Sequence, residues 1–473
     1  MPAIGALSVA AFGHNRASSR QALHVISNPW PAPDALPERP GSRLAIRGDL
    51  LDITADPGFG ELVTPAVRFD ADHWLLIEDG RITGRSATDP GEAWQRLDHR
   101  GRLVTPGMID THVHSPQLDV IASHGAQLLD WLDTYTYPAE RRHADPAVAA
   151  AGAAQFLDAL LAHGTTAAAV FPTVHKTSVD ALFEAAQARR MRVIAGKVLM
   201  DRHAPDGLRD DVAQAERDCV DLIARWHGKG RLAYAVTPRF APTSTPAQLA
   251  MAGALLAAHG GTYMQTHVAE NRDEVRWVAQ LFPQARSYLD VYLRHGLLNE
   301  RAVLAHGIWL DQADRALLAG IGAQVAHCPS SNLFLGSGLL DWAALQQEGV
   351  FVSLASDVGG GTSLSPLRTM AEAYKVQALQ GLRMTAWKLL YGATCGAARA
   401  LHLAHEIGTL EPGTLADVAV WDWAVGPVAL HRDRCVRDLH ERVFAWITLG
   451  DERNLAATFV RGVQRHARAA TPE

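Results

Sequence analysis

The stretch PGMIDTHVH at residues 106–114 gives the first indication of the fold. Its centre, MIDTHVH, is a short apolar run typical of a buried strand, and it ends in His112 and His114. Positions two apart share one face of a strand, so the two imidazoles point into the same space. Histidine is the commonest neutral metal ligand. Taken alone, the pair fits two hydrogen-bonded histidines in a polar pocket slightly better than it fits a metal site.

Seven further runs of this kind follow along the middle of the chain, separated by segments with helical spacing such as SVDALFEAAQARR and PLRTMAEAYKVQAL. Strand and helix that alternate eight times are typical of a closed parallel (β/α)8 barrel of the TIM type. A doubly wound open sheet is the alternative, but the sequence contains neither GxGxxG nor GxxxxGK[ST] to support it. The seven runs are TTAAAVF, RVIAGKVLM, RLAYAVTPRF, GTYMQTHVAE, AVLAHGIWL, AQVAHCP and FVSLASDVG.

The two ends of the chain differ from this middle, because both contain short strands and turns, such as HWLLIEDGRITGR and GTLADVAVWDW. They predict one small β domain that is formed by both terminal regions. The first 40 or so residues are rich in Ala, Pro and Ser and show no clear period. The predicted boundaries are 1–42 for a flexible or unplaced N-terminal extension, 43–105 for the first part of the β domain, 106–405 for the barrel, 406–467 for the second part of the β domain and 468–473 for a tail.

The composition excludes several classes of protein. Of the 473 residues, 48% are hydrophobic and 20% charged, which is ordinary for a soluble globular chain. The net charge of -6 and the lack of a basic run argue against nucleic acid and acidic membranes as partners. No apolar stretch is long enough to span a bilayer. None of the four cysteines (Cys219, Cys328, Cys395 and Cys435) lies in a CxxC pair, so we expect buried thiols in a reducing cytoplasm.

Polar residues cluster at the ends of the strand-like runs. His267 ends the fifth run, His306 lies in the sixth and Asp357 in the eighth. The carboxyl ends of the strands of such a barrel form one rim, which carries the chemistry. Three imidazoles, one carboxylate and a water suit a catalytic zinc or ferrous ion. A two-metal site would need a carbamylated lysine at the end of the fourth strand. No lysine lies there, and Lys197 in the third strand is interpreted as structural, so we expect one metal ion.

Other polar residues near these ends suit proton transfer and recognition. Glu270 follows His267 by three residues and can shuttle protons, although it could instead support the start of the helix near Asn271. Arg239 offers a planar fork, Phe240 a stacking face, and Gln117 both a donor and an acceptor. Each could be an ordinary polar or core residue, but together they could recognise the edge of a flat heterocycle with a carbonyl. No second basic cluster suits a phosphate, which favours a free base.

At this point the sequence resembles the amidohydrolase superfamily and, within it, the guanine deaminases. The superfamily resemblance rests on PGMIDTHVH, His267, His306 and Asp357. The closer resemblance runs in order from about Arg43 to the last few residues. It is carried by HVHSPQ (112–117), LLDWLDTYTYPAERR (128–142), HGTTAAAVF (163–171), GKVLMDRHAPD (196–206), TPRFAPTST (237–245), THVAENRDE (266–274), AHCPSSNLFLGSG (326–338) and DVGGGTSLSPLRTMAEAYKV (357–376).

The resemblance implies that the terminal β domain is a small β-sandwich beside the barrel. It also implies a cytoplasmic homodimer that binds one Zn²⁺ per chain and deaminates guanine with water to xanthine and ammonia. It implies that His306 polarises the metal-bound water or the oxyanion, and that Glu270 and Asp357 are the other catalytic residues. His203 departs from it, since the related sequences carry Asn there. By the same resemblance, His112, His114, His267 and Asp357 are the metal ligands, and Gln117, Arg239, Phe240, His114, His267 and Glu270 bind the purine.

Two alternatives remain open from the sequence. The first is deamination of another heterocycle, such as a pterin, a triazine or a different purine, on the same metal site. The second is a non-catalytic scaffold that keeps the fold, which has no need for the six residues His112, His114, His267, Glu270, His306 and Asp357. The zinc deaminases that use an HxE pair with PCxxC are a different fold, and this chain lacks PCxxC.

Overall fold

The computed structural model describes residues 41–124 and 128–469, so most of the predicted N-terminal extension and residues 470–473 lie outside the described residues. The strands are β1 (Arg43–Ile53), β2 (Val67–Glu78), β3 (Arg81–Ser86), β4 (Gln95–Pro106), β5 (Met108–His114), β6 (Thr165–Phe171), β7 (Arg192–Ala195), β8 (Val198–Leu199), β9 (Leu232–Pro238), β10 (Tyr263–Val268), β11 (Ala302–His306), β12 (Gln324–His327), β13 (Phe351–Leu354), β14 (Val418–Asp422), β15 (Leu455–Val460) and β16 (Val463–Ala467).

Helices connect these strands. They are α1 (Leu128–Trp131), α2 (Tyr137–Arg142), α3 (Pro146–Ala162), α4 (Lys176–Arg189), α5 (Val212–Trp226), α6 (Pro246–Ala258), α7 (Arg272–Leu281), α8 (Tyr288–Arg294), α9 (Gln312–Ile321), α10 (Pro329–Phe334), α11 (Trp342–Gln347), α12 (Pro366–Leu379), α13 (Ala386–Ala393), α14 (Cys395–Ala400), α15 (Pro427–Asp433) and α16 (Leu439–Leu449). A π-helical turn, Leu132–Thr136, joins α1 to α2. No helix of the described ranges has the length and hydropathy needed to cross a bilayer.

The middle of the chain forms a nearly closed parallel barrel. Its strands hydrogen-bond in the order β5, β6, β7, β9, β10, β11, β12 and β13, and the short β8 pairs with β9. The eight predicted runs therefore correspond to the eight positions of the barrel, with the third run divided between β7 and β8. The predicted TIM-like fold class is confirmed.

Alternation along the barrel strands explains why so many of their residues are alanines. Ala167 and Ala169 of β6 belong to one buried cluster, with Ala233 and Ala235 of β9. Val170 of β6 instead joins the larger cluster between strands and helices. Successive strand residues point to opposite faces, so the first cluster is the barrel interior. Small side chains there fill the narrow space inside an eight-stranded barrel.

Backbone hydrogen bonds join the ends of the first and last barrel strands. The amide of Asp357, just after β13, donates to the carbonyl of His112 at 2.9 Å. The amide of His114 donates to the carbonyl of Val358, also at 2.9 Å. Closure of the barrel therefore brings the His-x-His pair next to Asp357.

The two terminal regions form a separate seven-stranded sheet with the order β16-β15-β14-β4-β1-β2-β3. The β1–β4 pair is parallel and the other neighbouring pairs are antiparallel. Strands from before and after the barrel meet where β4 pairs with β14. The prediction that both termini contribute to one β domain is thereby confirmed, and helices α15 and α16 lie between β14 and β15.

Three of the four cysteines are buried as expected, whereas Cys435 is exposed. Cys435 follows α15, whose residues include none that is buried. Its solvent exposure differs from the sequence expectation because the short helix lies on the surface of the sheet domain. Within the described residues all four thiols are free.

A buried ionic cluster joins the sheet to the barrel. Arg231, just before β9, donates from Nη2 to Asp417 Oδ2 at 2.7 Å and from Nε to Glu406 Oε1 at 2.8 Å. The side chains of Arg231 and Asp417 are 8% and 2% exposed. Because a buried charge without a partner is strongly unfavourable, this cluster should contribute to the stability of the domain contact.

We expect Arg231→Met to lower the free energy of unfolding by about 3–5 kcal/mol, because it leaves the buried Asp417 carboxylate without its arginine. Glu406 keeps its pair with Arg192. Urea denaturation followed by circular dichroism measures the change. Arg276→Met is the control, because Arg276 pairs with Asp273 on the surface and exposed pairs contribute little. Equal effects of the two substitutions would contradict a structural role for the Arg231 cluster.

Candidate active site

Four predicted ligands converge at the carboxyl ends of the barrel strands. His114 Nε2 lies 3.2 Å from Nε2 of both His112 and His267. Asp357 Oδ1 lies 3.0 Å from His112 Nε2 and 3.3 Å from His114 Nε2. One ligand atom from each of the four residues lies within 4.8 Å of the others. This grouping has the size and the N/O donor set of a site for a single divalent cation.

The protonation of the histidines fits a bound cation. His267 Nδ1 lies 2.7 Å from the carbonyl oxygen of Arg239, so Nδ1 carries the proton and Nε2 presents its lone pair. Burial lowers the pKa of His114 to about 3 and holds the pKa of His267 well below its usual value. Neutral imidazoles whose lone pairs face one another at this distance are compensated when a cation lies between them.

His306 and Cys328 lie beside this group. Together with His112 and Asp357 they form a second set of potential ligands within 4.8 Å of one another. His306 Nδ1 is held by Asn332 Oδ1 at 2.8 Å. Its Nε2 has no hydrogen-bond partner within the described ranges and lies 3.7 Å from Asp357 Oδ2. His306 therefore presents a ring nitrogen toward the metal centre without belonging to the tighter set of four.

Glu270 is buried in the same cavity, and a different residue supports the following helix. Asn271 caps α7, and the partner carboxylate in this capping box is Glu274, which accepts the amides of Glu270 and Asn271. Glu270 Oε1 accepts a hydrogen bond from Ser337 Oγ at 2.8 Å. Its Oε2 lies 3.5 Å from His306 Nε2. The helix-capping role that was the alternative for Glu270 is therefore filled by Glu274.

Both glutamates have perturbed acidities. Burial and the negative charge of Asp357 raise the pKa of Glu270, and burial with the charge of Glu270 raises that of Glu274. A carboxyl group with a raised pKa can hold and release a proton near neutral pH.

The recognition residues lie on another side of the cavity. Arg239 is buried and donates from Nη1 to both carboxylate oxygens of Glu140 at 2.8 Å. Gln117 donates from Nε2 to Glu140 Oε1 at 3.1 Å, and its Oε1 accepts the amide of Gly359 at 3.2 Å. Burial alone would lower the pKa of Arg239, but the charge of Glu140 raises it, so the guanidinium stays charged. Phe240 is also buried.

Most of these groups line one cavity at the carboxyl ends of the barrel strands. Eight of its lining residues were predicted from the sequence as site residues, and the others were not. Glu140, Trp131 and Leu132 lie in LLDWLDTYTYPAERR, whose helical spacing cannot show which side chains face a site on another element. The cavity is lined by His114, Gln117, Trp131, Leu132, Arg239, Phe240, His267, Glu270, Glu274, His306, Leu335, Asp357 and Gly360.

Two sequence features lie outside this cavity lining. His203, the departure from the related sequences, packs on Trp277 with ring centroids 5.2 Å apart. Lys197 forms a buried ion pair with Asp210, in agreement with its structural interpretation. Neither residue is among the ligand groups found in the described part of the chain.

The backbone at the rim adopts sparsely populated conformations where the site residues lie. Ala269, His306 and Asp357 have φ values of 48°, 70° and 50°. These left-handed conformations are uncommon outside glycine and tend to occur at functional sites. The chain turns sharply at these positions, at or just after the ends of three strands, and the side chains of His306 and Asp357 line the cavity.

Comparison with known proteins agrees with this geometry. The family model described as "Amidohydrolase family" matches residues 103–465. Guanine deaminase of Escherichia coli (strain K12) is 43% identical over 424 residues, covering 88% of this chain and 96% of that protein. The solved structure of E. coli guanine deaminase matches with a TM-score of 0.86 at 41% identity, covering 90% of this chain and 100% of that one. Guanine deaminase from C. acetobutylicum, solved with guanine in its active site, matches with a TM-score of 0.81 at 25% identity over the same shares. The chain belongs to the amidohydrolase family.

Proposed function

We propose that this protein is a zinc-dependent enzyme that hydrolyses guanine to xanthine and ammonia. The observation that carries the proposal is the sharing of one cavity by a single-cation ligand set, a buried acid and a pair of side chains suited to a carbonyl edge. Similarity to guanine deaminases over nearly the whole chain supports the choice of substrate.

His112, His114, His267 and Asp357 would hold the Zn²⁺. A zinc ion at this centre supplies a Lewis acid that makes water nucleophilic at neutral pH. His306, which points its Nε2 toward the same centre, would accept a hydrogen bond from the attacking water or stabilise the charge that develops on its oxygen.

Binding of the base would use the other side of the cavity. The Arg239 guanidinium donates to the carbonyl oxygen at C6 of guanine, and the ring of Phe240 packs on the purine face. Gln117 adds a hydrogen bond at the same edge of the base. The 2-amino carbon then lies on the side of His114, His267 and Glu270.

Glu270 would carry the protons. Its protonated carboxyl group donates to the ring nitrogen beside the amino-bearing carbon, which makes that carbon electrophilic toward water. The carboxylate that results accepts a proton from water and passes it to the amino group, which leaves as ammonia. The second proton of that water then returns to Glu270 as the C2 carbonyl of xanthine forms. Ser337 holds one oxygen of Glu270, so the other remains directed at the reaction centre.

Two further properties belong to this proposal. Assembly as a homodimer and location in the cytoplasm follow from the sequence resemblance, and size-exclusion chromatography with light scattering tests the first. An activity on a pterin, a triazine or another purine is the alternative within the family, and an ammonia-release screen over these bases distinguishes it from guanine deamination.

We expect purified protein to contain close to one zinc ion per chain, as measured by inductively coupled plasma mass spectrometry. His114→Ala should lose most of the metal because it removes one of the four ligands, whose Nε2 lies 3.2 Å from those of two others. His306→Ala should retain it, since His306 lies outside the tighter set. Two ions per chain, or equal metal loss in both variants, would contradict the proposed ligand set.

Glu270→Gln should separate chemistry from metal binding. Glutamine has nearly the same shape but cannot hold and release the proton, so kcat should fall by about 10²–10⁴ while zinc content and Tm are kept. Asn271→Ala is the matched control, because it removes the helix cap at about 1 kcal/mol and should leave kcat intact. Normal turnover of Glu270→Gln would remove this residue from the mechanism.

Arg239→Ala should weaken transition-state binding of guanine by roughly 2–4 kcal/mol, because it removes a charged hydrogen bond to the substrate carbonyl. The measurement is kcat/KM on guanine beside adenine. Arg239→Lys keeps the charge but not the planar fork, and we expect an intermediate value. A variant without Arg239 that keeps full kcat/KM on guanine would show that another residue recognises the carbonyl.

A further inference from the structure

Glu140 is buried behind two residues of the cavity lining, Arg239 and Gln117, and neither the metal centre nor the proton transfer uses it. Its side chain is 0% exposed. Its two oxygens accept hydrogen bonds from Arg239 Nη1, each at 2.8 Å, and Oε1 also accepts from Gln117 Nε2 at 3.1 Å. A single carboxylate thus contacts both polar residues that are proposed to recognise the base.

Helix α2 also provides a second contact to the same guanidinium. Tyr137 precedes Glu140 by three residues, so the two side chains lie on one face of the helix. The Tyr137 ring centroid lies 5.3 Å from Arg239 Cζ. The ring and the carboxylate together restrict the plane of the guanidinium. Since Glu140 binds Nη1, the N–H groups of Nη2 and Nε remain for other acceptors.

The contact with Glu140 also orients the amide of Gln117. The amide nitrogen is identified by its donation to Glu140, and the amide oxygen by its acceptance of the Gly359 N–H at 3.2 Å. One N–H and one oxygen lone pair of Gln117 are then left. This remainder suits a substrate edge on which a carbonyl lies beside a ring N–H, as C6=O and N1–H do in guanine.

We propose that Glu140 is a positioning residue for substrate selection, which holds Arg239 and Gln117 so that together they accept only a base with a carbonyl beside a ring N–H. This inference rests on the proposed function. It predicts that loss of Glu140 affects the choice between bases more than it affects the reaction itself. A purely structural ion pair would instead affect all substrates equally, through the amount of folded enzyme.

The test compares guanine with 2,6-diaminopurine. Both bases carry the 2-amino group that leaves, but the second has an amino group at C6 and an unprotonated N1, which reverses the hydrogen-bonding edge. In Glu140→Gln, the side-chain amide would place a donor against the donors of Arg239 and Gln117. We expect the ratio of kcat/KM for guanine to that for 2,6-diaminopurine to fall by about 10- to 100-fold, with most of the loss on guanine.

Asp417→Asn is the matched control. It also replaces a buried carboxylate that pairs with an arginine, but it lies between the sheet and the barrel. We expect it to lower Tm and to leave the ratio unchanged. An unchanged ratio in Glu140→Gln, whether or not total activity falls, would overturn the proposal.

A second variant keeps the test decisive if Glu140→Gln does not fold. Glu140→Asp keeps the charge on a side chain that is shorter by one methylene group, so the carboxylate cannot reach Arg239 and Gln117 together. We expect a smaller fall in the same ratio, and an unchanged ratio would again overturn the proposal. The wild-type enzyme distinguishes failure of the proposed function from failure of the proposed role of Glu140. Absence of ammonia release from guanine in the wild type would contradict the proposed function itself.

Discussion

The convergence of three imidazole nitrogens and one carboxylate is the constraint on which the rest of the site depends. Lone pairs that face one another at about 3.2 Å are unfavourable unless a cation lies between them. The ligands come from β5, β10 and the end of β13, so they meet only when the barrel closes. The backbone hydrogen bonds from Asp357 to His112 and from His114 to Val358 close the barrel and also bring Asp357 next to the two histidines of β5. Barrel closure and assembly of the metal centre are therefore one structural event.

Two groups of side chains surround this centre and serve different chemistry. Glu270 and Glu274 are buried acids whose pKa values are raised by burial, with the charge of Asp357 acting on Glu270 and the charge of Glu270 acting on Glu274. Ser337 donates a hydrogen bond to Glu270. On the other side, Glu140 joins Arg239 to Gln117. The segment after Asp357 contacts both the metal centre and Gln117, and it must turn very tightly. A Cβ at Gly361 would lie 1.8 Å from the carbonyl oxygen of Ser356, so only glycine fits there.

The contacts that join the terminal sheet to the barrel and the residues of the active site lie at opposite ends of the barrel. The amide of Gly107, just before β5, donates to the carbonyl of Asp417 at 2.8 Å, and Arg231 contacts the same aspartate at the start of β9. The terminal sheet thus packs against the amino ends of the strands, while the ligands lie at the carboxyl ends. Separation of this kind lets loops at the rim carry the reaction on a scaffold that is stabilised elsewhere.

The eight-fold strand–helix alternation and the ligand candidates could be predicted from the sequence alone, because strand periodicity is local and His-x-His at a strand end places both rings on one face. It also indicated Glu270, but could not decide between proton transfer and helix capping. The three-dimensional structure was needed to show that Glu274 is the capping carboxylate and that Glu140 contacts Arg239 and Gln117. Such contacts join residues on separate elements, and the helical spacing around Glu140 does not reveal which distant side chain its carboxylate meets.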